Sequence, residues 1–324
     1  MALVTLSEIL KPARDGHYCV AAFDTSNNDM TLAILETAEA LRSPVILMAL
    51  CVDIEGDKME YWLDGARKMA SRASVPVCLH LDHATDTAFI KKAVDSGFTS
   101  VMYDGSVLPF AENVKNTREV TEYAHTHGVS VEAELGHVGD GIVGRSETDV
   151  KKNRDGTYDN PDDSLTNPDE MSAFIEETNV DALAVAVGTA HGVYVHEPRL
   201  HFDRLEQLNK LSSVPLVMHG GSGTPDEQVR EAVRLGICKL NVFSEIIDAY
   251  YREMKKQLNE MENMAIWPST ANLRPLNALK EAVSKKSCYW VQTTALSTDL
   301  LIIKTGGNHY GKLFNWNRRR KHLD

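Results

Sequence analysis

The sequence predicts an α/β fold and, within that class, a single-domain (β/α)8 TIM barrel. The first observation is an eightfold alternation of short apolar segments with amphipathic helical stretches, which is typical of a parallel sheet covered by helices. The second is the near-continuous apolar character of those segments, which fits strands buried on both faces. The third is that no Gly-x-Gly-x-x-Gly motif follows the first strand, which disfavours the rival open, doubly wound sheet.

Each predicted strand is followed by a predicted helix. The strands are predicted at residues 17–24, 44–50, 76–83, 100–104, 130–135, 182–189, 215–219 and 238–242. The helices are predicted at residues 30–41, 57–73, 85–96, 111–127, 169–178, 203–211, 226–235 and 245–261. Asn167 and Thr224 each precede a proline and acidic residues, which is the pattern of a helix N-cap. We assign the barrel to residues 1–284.

Two segments depart from this alternation. Residues 136–167 follow the fifth strand, are rich in polar residues and Gly, and form a connection long enough to be a functional lid. In a barrel this loop would lie over the catalytic face; the alternative is a solvated insertion without a role. Residues 285–324 contain eight Lys and Arg against two Asp and lack a clear helical period. We expect them to form a basic C-terminal tail that is atypical or poorly ordered.

Composition and charge limit the partners. Hydrophobic residues make up 43% and charged residues 25% of the chain, as in ordinary soluble globular proteins. The net charge of −12 argues against nucleic acid, because a phosphate backbone is bound by a basic surface. No segment approaches the ~20 apolar residues of a membrane helix, and the N-terminus lacks a secretory signal pattern. Five cysteines without a Cys-x-x-Cys pair indicate a reducing compartment, so we expect a cytoplasmic protein.

Three histidines stand at or just after the ends of predicted strands. His83 ends the third strand, His191 follows the sixth and His219 ends the seventh. Because active sites of (β/α)8 enzymes are built at the C-terminal ends of the strands, the three imidazoles are expected to converge. Imidazole is the commonest metal ligand, and three protein ligands with an open fourth position are typical of catalytic zinc. The alternative is that each histidine is a hydrogen-bonded polar group of the interior.

Carboxylates accompany these histidines. Asp82 directly precedes His83, and both can reach the barrel mouth where the chain turns out of the strand. Glu132 and Glu134 lie two residues apart on the fifth strand and therefore share a face. Because buried charged groups are almost always paired or bound to a metal, we expect these two to orient a histidine or, for Glu134, to approach the metal. The alternative is an ion pair inside the barrel.

Glycine-rich turns indicate a phosphate site. Residues 220–223, Gly-Gly-Ser-Gly, connect the seventh strand to a helix, where successive backbone amides can bind an anion. Asn241 and Ser244 lie at the end of the eighth strand, before another helix. Phosphate sites after the seventh and eighth strands recur in this fold. The alternative is that the glycines serve only the geometry of a tight turn.

Five motifs occur in a fixed order along the chain. They are His-Leu-Asp-His at residues 80–83, Val-Glu-Ala-Glu-Leu-Gly at 131–136, Ala-Val-Ala-Val-Gly-Thr-Ala-His-Gly-Val-Tyr at 184–194, His-Gly-Gly-Ser-Gly at 219–223 and Lys-Leu-Asn-Val at 239–242. Together they resemble the class II, metal-dependent ketose-bisphosphate aldolases, which include fructose-bisphosphate and tagatose-bisphosphate aldolases. The resemblance implies a (β/α)8 barrel, one catalytic zinc ion per subunit, with room for a monovalent cation, and a homodimer or homotetramer. It also implies reversible cleavage of a small-molecule sugar phosphate, a ketose phosphate or bisphosphate, into dihydroxyacetone phosphate and an aldehyde.

The same resemblance implies roles for individual residues. The metal ligands that it implies are His83, His191, His219 and Glu134. Asp82 matches the acid/base that acts on the substrate hydroxyl. Glu147, the only glutamate in the long segment before residue 167, is the candidate for the loop acid/base that moves a carbon-bound proton. The implied phosphate-binding set consists of Gly192, Gly220, Gly221, Ser222, Asn241, Val242, Phe243 and Ser244.

Some positions depart from the family pattern and leave the substrate open. Asp24 stands where the family usually has Asn, and Val195 where many members have Lys. These positions border the substrate pocket, so the sequence does not define the aldehyde half of the substrate. Other functions also remain open: a metal-dependent barrel hydrolase, a non-catalytic sugar-phosphate-binding protein, and a subunit that assembles with a partner aldolase.

Overall fold

The computed structural model describes residues 2–140, 164–192, 194 and 197–290. Their strands are β1 (Val20–Asp24), β2 (Val45–Leu50), β3 (Val77–Ala84), β4 (Ser100–Tyr103), β5 (Ser130–Leu135), β6 (Gly139–Asp140), β7 (Ala182–Val185), β8 (Ala190–His191), β9 (Leu216–Met218) and β10 (Ile237–Val242). Eight of these strands close into a barrel in the order β1-β2-β3-β4-β5-β7-β9-β10, and every neighbouring pair is parallel. The predicted (β/α)8 barrel is therefore confirmed.

The helices of the described residues cover the outside of the barrel and close one end. They are α1 (Leu6–Asp15), α2 (Asn28–Leu41), α3 (Lys58–Ala70), α4 (Thr87–Ser96), α5 (Phe110–Thr126), α6 (Pro168–Thr178), α7 (Phe202–Leu211), α8 (Asp226–Arg234), α9 (Ser244–Asn259), α10 (Pro268–Ala271) and α11 (Leu273–Trp290). Helices α2 to α9 correspond to the eight predicted ones. The Asn167 side chain caps α6 as predicted. The predicted cap at Thr224 is wrong, because its hydroxyl donates to the Gly220 carbonyl instead.

The predicted sixth strand is too long. It was placed at residues 182–189, whereas β7 ends at Val185. Gly188 has a φ of 102°, a left-handed conformation that turns the chain out of the barrel sheet. The chain then forms β8, which pairs with β6 in a separate two-stranded sheet, so that Asp140 lies opposite His191. This small sheet carries one of the three histidines.

Helix α1, which is not among the predicted helices, closes the N-terminal end of the barrel. A capping box starts it: the Thr5 side chain accepts a hydrogen bond from the Glu8 amide, and the Glu8 carboxylate accepts one from the Thr5 amide. The Val4 amide donates to the Val77 carbonyl and the Ser7 amide to the Ser130 hydroxyl, so α1 lies against the first residues of β3 and β5. The opposite, C-terminal end of the barrel is thus left for a site.

The barrel interior is apolar near α1 and polar toward the other end. One buried apolar cluster joins the inner face of α1 to inward-facing residues of the strands. From α1 it contains Leu6, Ile9, Leu10 and Ala13, and from the strands Val20, Ala22, Ile46, Met48, Cys78, Met102, Ala182, Ala184, Val217 and Cys238. A second, larger cluster fills the layer between strands and outer helices. Beyond the first cluster the interior side chains are charged or polar, including the fully buried His80, Glu132 and Lys239.

Helix α11 crosses the predicted end of the barrel at residue 284. Its buried face includes Leu279 and Val283 and continues with Lys286, and Lys280 forms an ion pair with Glu36 on α2. Residues 285–290 therefore belong to a barrel helix rather than to the tail, because the buried face of α11 does not stop at 284.

The remainder of the predicted tail, and residues 141–163 of the predicted loop, lie outside the described residues. No described helix is long and apolar enough to span a membrane.

Candidate metal and substrate site

The backbone turns sharply at His83. This residue has a φ of 44°, an uncommon conformation for a side chain other than glycine, and the β3–β4 register shifts between Leu81 and Ala84. In a regular strand Asp82 and His83 would point to opposite faces. The turn lets the two neighbours lie together at the barrel mouth.

The three predicted histidines converge at this mouth. The ring centroids of His83 and His191 are 4.6 Å apart, those of His83 and His219 are 4.5 Å apart, and those of His191 and His219 are 5.7 Å apart. One ring nitrogen from each lies within 4.8 Å of the other two. His83 Nε2 and His219 Nδ1 are 2.7 Å apart. Three imidazole donors this close fit a divalent metal such as zinc.

A carboxylate orients His83. Its Nδ1 lies 3.0 Å from an Asp104 oxygen, and the Ser106 hydroxyl and amide donate to the other Asp104 oxygen. Although burial opposes ionisation, these hydrogen bonds hold the pKa of Asp104 well below its ordinary value. Burial also opposes the charged form of His83, yet the nearby Asp82 and Asp104 carboxylates raise the pKa of His83 to about 10. The surroundings of His83 therefore favour positive charge.

His219 lies deeper than His83 and is fully buried. Its Nε2 lies 2.8 Å from Oε1 of Glu132, which leaves Nδ1 on the side of His83. Burial, followed by the neighbouring His83, lowers the pKa of His219 well below its usual value. Neutral imidazole is the form that binds metals, so this environment suits a ligand.

Glu134 belongs to a second group of side chains that could hold a metal ion. It was predicted beside the three histidines, whereas the structure places one of its oxygens in a group with His83 and Asp104. Its Oε1 accepts a hydrogen bond from the Val138 amide (2.8 Å), while Oε2 is buried without a hydrogen-bond partner among the described residues. Burial raises the pKa of Glu134 well above its ordinary value. Glu134 is thus joined to the histidine group through His83.

Asp82 is held at the mouth by an amide. Asn241 Nδ2 lies 3.2 and 3.1 Å from the two Asp82 oxygens, and the Asp82 side chain is almost fully buried. Asp82 is on β3 and Asn241 on β10, so this contact crosses the barrel mouth. The Oδ1 atom of Asn241 is buried without a hydrogen-bond partner among the described residues. The pair therefore combines an anchored carboxylate with a buried acceptor that has no hydrogen-bond partner among the described residues.

The predicted phosphate-binding residues lie at the end of β10 and in the turns that follow β8, β9 and β10. Gly192 follows His191, the Gly221 amide donates to the Asn241 carbonyl (3.0 Å), and Val242 ends β10. The Ser222 hydroxyl accepts hydrogen bonds from the Phe243 and Glu245 amides at the start of α9, whose first residue is Ser244. A side chain at Gly220 would place its Cβ only 2.4 Å from the Ala190 carbonyl oxygen. These segments pack so closely that the glycine is required.

Tyr194 was missed as a site residue. Its hydroxyl donates to the Gly220 carbonyl (2.8 Å), contacts the Thr224 hydroxyl (2.9 Å) and accepts from the Ala190 amide (3.2 Å). It therefore ties the segment that carries His191 to the glycine-rich turn. The signal was its place in the 184–194 motif. The predicted loop acid Glu147 lies outside the described residues.

The family model described as fructose-bisphosphate aldolase class-II matches residues 4–294. The chain belongs to this family. It is thus an aldolase, a carbon–carbon lyase, of a family that is generally metal-dependent, and its substrates are expected among the sugar phosphates.

Named members of the family are similar over most of their length. The 6-phospho-5-dehydro-2-deoxy-D-gluconate aldolase of Halalkalibacterium halodurans is 39% identical over 276 residues, which cover 82% of this chain and 88% of that protein. The protein of the same name from Bacillus subtilis is 36% identical over 300 residues, covering 88% and 94%. Among solved structures, the YdjI aldolase from Escherichia coli K12 has a TM-score of 0.76 and 30% identity, covering 89% of this chain and 97% of that chain.

Proposed function

We propose that this aldolase uses a zinc ion, held by His83, His191 and His219, to cleave a ketose phosphate reversibly into dihydroxyacetone phosphate and an aldehyde. The observation that carries the proposal is the convergence of three imidazole nitrogens within 4.8 Å of one another at the barrel mouth. Three nitrogen ligands with room for a fourth ligand are the usual donor set of catalytic zinc. When bound, zinc supplies Lewis acidity that stabilises negative charge on a substrate oxygen.

Asp82 is the proposed acid/base at the substrate hydroxyl. In cleavage its carboxylate takes the hydroxyl proton, the O–H electron pair becomes the new aldehyde π bond, and the electron pair of the broken carbon–carbon bond stays with the ketone half. The two contacts from Asn241 hold the carboxylate in place for this step. In condensation the same proton returns to the new hydroxyl. Glu147 is the proposed group that delivers a proton to the carbon of the ketone half.

Residues at the end of β10 and in the turns that follow β8, β9 and β10 are the proposed phosphate-binding set. Their packing brings backbone amides and the N-terminus of α9 to one side of the mouth, where an anion is favoured. Holding the phosphate there would fix the ketone beside the histidines, and such orientation supplies a large part of catalysis. The set comprises Gly192, Gly220, Gly221, Ser222, Asn241, Val242, Phe243 and Ser244.

The names of the relatives suggest a specific substrate. In 6-phospho-5-dehydro-2-deoxy-D-gluconate the ketone is next to the phosphate-bearing carbon. Cleavage between the carbons α and β to that ketone releases dihydroxyacetone phosphate and 3-oxopropanoate. We propose this compound as the first substrate to test, since the relatives so named share 36–39% identity with this chain.

A substrate panel tests the proposal. The zinc-loaded protein is incubated with this compound, fructose 1,6-bisphosphate and tagatose 1,6-bisphosphate, and release of dihydroxyacetone phosphate is followed with a coupled reductase. We expect release from at least one of them, and none after zinc is removed. Release of inorganic phosphate without dihydroxyacetone phosphate would favour the hydrolase alternative.

Two further measurements test the cation and the assembly that the family resemblance implies. Turnover measured with and without added sodium or potassium tests for the monovalent cation. The mass in solution, measured by sedimentation, tests for the homodimer or homotetramer.

A further inference from the structure

A fully buried ion pair lies inside the barrel, next to the histidine group. Lys239 on β10 and Glu132 on β5 both have side chains with no exposed surface. The Lys239 Nζ lies 2.9 and 3.1 Å from the two carboxylate oxygens of Glu132. In the order of the barrel, β9 and β7 lie between these two strands. A buried pair of this kind is weak evidence for stability, because removing both charges from water is costly.

The Glu132 carboxylate serves a second partner. Its Oε1 lies 2.8 Å from Nε2 of His219. Because a carboxylate only accepts hydrogen bonds, the proton of His219 is on Nε2, and the Nδ1 lone pair is the one that faces His83. A carboxylate that fixes the tautomer and ring orientation of a metal-binding histidine is a common arrangement. Glu132 is therefore placed to orient His219.

The charge of Glu132 is balanced by Lys239. The other basic ring near the carboxylate is that of His80, whose Nε2 is 3.8 Å from Oε2, beyond hydrogen-bond distance, and whose Nδ1 contacts the Ser100 hydroxyl at 2.8 Å. Among the described residues, Lys239 is the one lysine or arginine within ion-pair distance of Glu132. Without it, the carboxylate would be a buried charge with hydrogen bonds from His219 alone.

We propose that Lys239 is a positioning residue for the metal site: it fixes the Glu132 carboxylate and balances its charge, so that Glu132 holds His219 with Nδ1 directed at the ion. This inference rests on the proposed function in that it takes His219 as a zinc ligand. The hydrogen bond and the ion pair of Lys239 both go to Glu132, so Lys239 acts on the site through that carboxylate. Its loss should weaken zinc binding without altering how substrate binds to zinc-loaded protein.

The test measures zinc affinity in the full-length protein by competition with a fluorescent chelator, with no substrate present. Lys239→Met keeps the length of the side chain and removes the charge. We expect zinc binding to weaken by about 10–100-fold, the usual loss for a residue that supports a metal ligand. Lys280→Met is the matched control, because Lys280 is a largely buried lysine that pairs with Glu36 on the outer helices. Its zinc affinity should stay within about twofold of the unmodified protein, as for most substitutions away from a site.

A second variant and a second readout cover the remaining outcomes. With saturating zinc, KM of Lys239→Met should equal that of the unmodified protein, whereas a general loss of structure would raise it. If Lys239→Met does not melt cooperatively, the double variant Glu132→Gln/Lys239→Met, which has a neutral pair, replaces it. We expect the double variant to fold and to bind zinc at least about 10-fold more weakly than the unmodified protein. Wild-type zinc affinity in a folded Lys239→Met protein, or in the neutral pair, overturns the proposal. Failure of the unmodified protein to bind zinc would instead contradict the proposed function.

Discussion

Replacing Asp82 with asparagine should remove most of the turnover and leave the metal site in place. Asp82 is almost fully buried and receives two contacts from Asn241 Nδ2, at 3.2 and 3.1 Å. Asparagine has the same size, and its amide oxygen can still accept from Asn241, so the mouth should keep its shape. The amide cannot take the hydroxyl proton at neutral pH, so the chemical step loses its base.

The size of the loss follows from this single missing function. General acid–base catalysis by a positioned side chain contributes about 10²–10⁴-fold to the rate. Since each tenfold change corresponds to about 1.36 kcal/mol, the barrier should rise by about 3–5 kcal/mol. Zinc stoichiometry should not change, because the proposed zinc ligands are His83, His191 and His219 and do not include Asp82. KM should change much less than kcat, because Asp82 is not part of the proposed phosphate-binding set or of the proposed zinc ligands.

The assay is steady-state release of dihydroxyacetone phosphate, with metal content measured on the same protein samples. Asp95→Asn is the matched control, since Asp95 lies on the outer surface, where it accepts a hydrogen bond from Tyr123. Its kcat should equal that of the unmodified protein. An Asp82→Asn protein that keeps its zinc and turns over within about tenfold of the unmodified protein would refute the assignment of Asp82 as the base.

Four further outcomes are expected. Removal of zinc by a chelator should abolish turnover and added zinc should restore it; full activity in metal-free protein would contradict the metal site. Tyr194→Phe removes a hydroxyl that joins the His191 segment to the glycine-rich turn, so KM should rise about 2–10-fold, as for one lost hydrogen bond, and an unchanged KM would argue against this role. Gly220→Ala should lower the melting temperature and raise KM, since its Cβ would lie 2.4 Å from the Ala190 carbonyl oxygen. Gly128 has a similar φ, and a Cβ there would meet nothing within 4 Å, so Gly128→Ala should affect stability only. Equal KM values in the two variants would refute the argument that the backbone approaches Gly220 too closely for a side chain. Glu147→Gln should slow exchange of the carbon-bound proton of dihydroxyacetone phosphate, followed by NMR, and an unchanged rate would exclude Glu147 as the loop acid.

Most of the fold could be predicted because its signals are local. Each barrel strand is a short apolar segment and each following helix shows a polar face, so all eight units were placed within a few residues. The parts that were missed depend on contacts between distant segments. Helix α1 was missed despite its local Thr5–Glu8 capping box, and its packing under the barrel depends on contacts with β3 and β5. The end of β7 depends on how Gly188 directs the chain over the mouth.

The candidate site could be predicted in outline for a topological reason. In a parallel barrel the C-terminal ends of all strands meet at one mouth, so residues that end different strands are brought together whatever their separation in sequence. This rule grouped His83, His191 and His219. It did not separate Glu132, which supports His219, from Glu134, which joins His83 and Asp104. The two residues share a strand face but have different partners, which strand geometry does not distinguish; only the family resemblance set Glu134 apart as a metal ligand.

The sequence by itself determined the alternation of elements, the closed parallel barrel and the set of polar side chains at its mouth, because these follow from periodicity and from the ends of strands. The tertiary structure decided which atoms meet. The left-handed turn at His83, the Asn241 contact across the mouth and the pairing of Glu132 with Lys239, 107 residues apart, depend on how the strands are staggered when the barrel closes. That stagger is a property of the whole sheet, and no single segment of the chain specifies it.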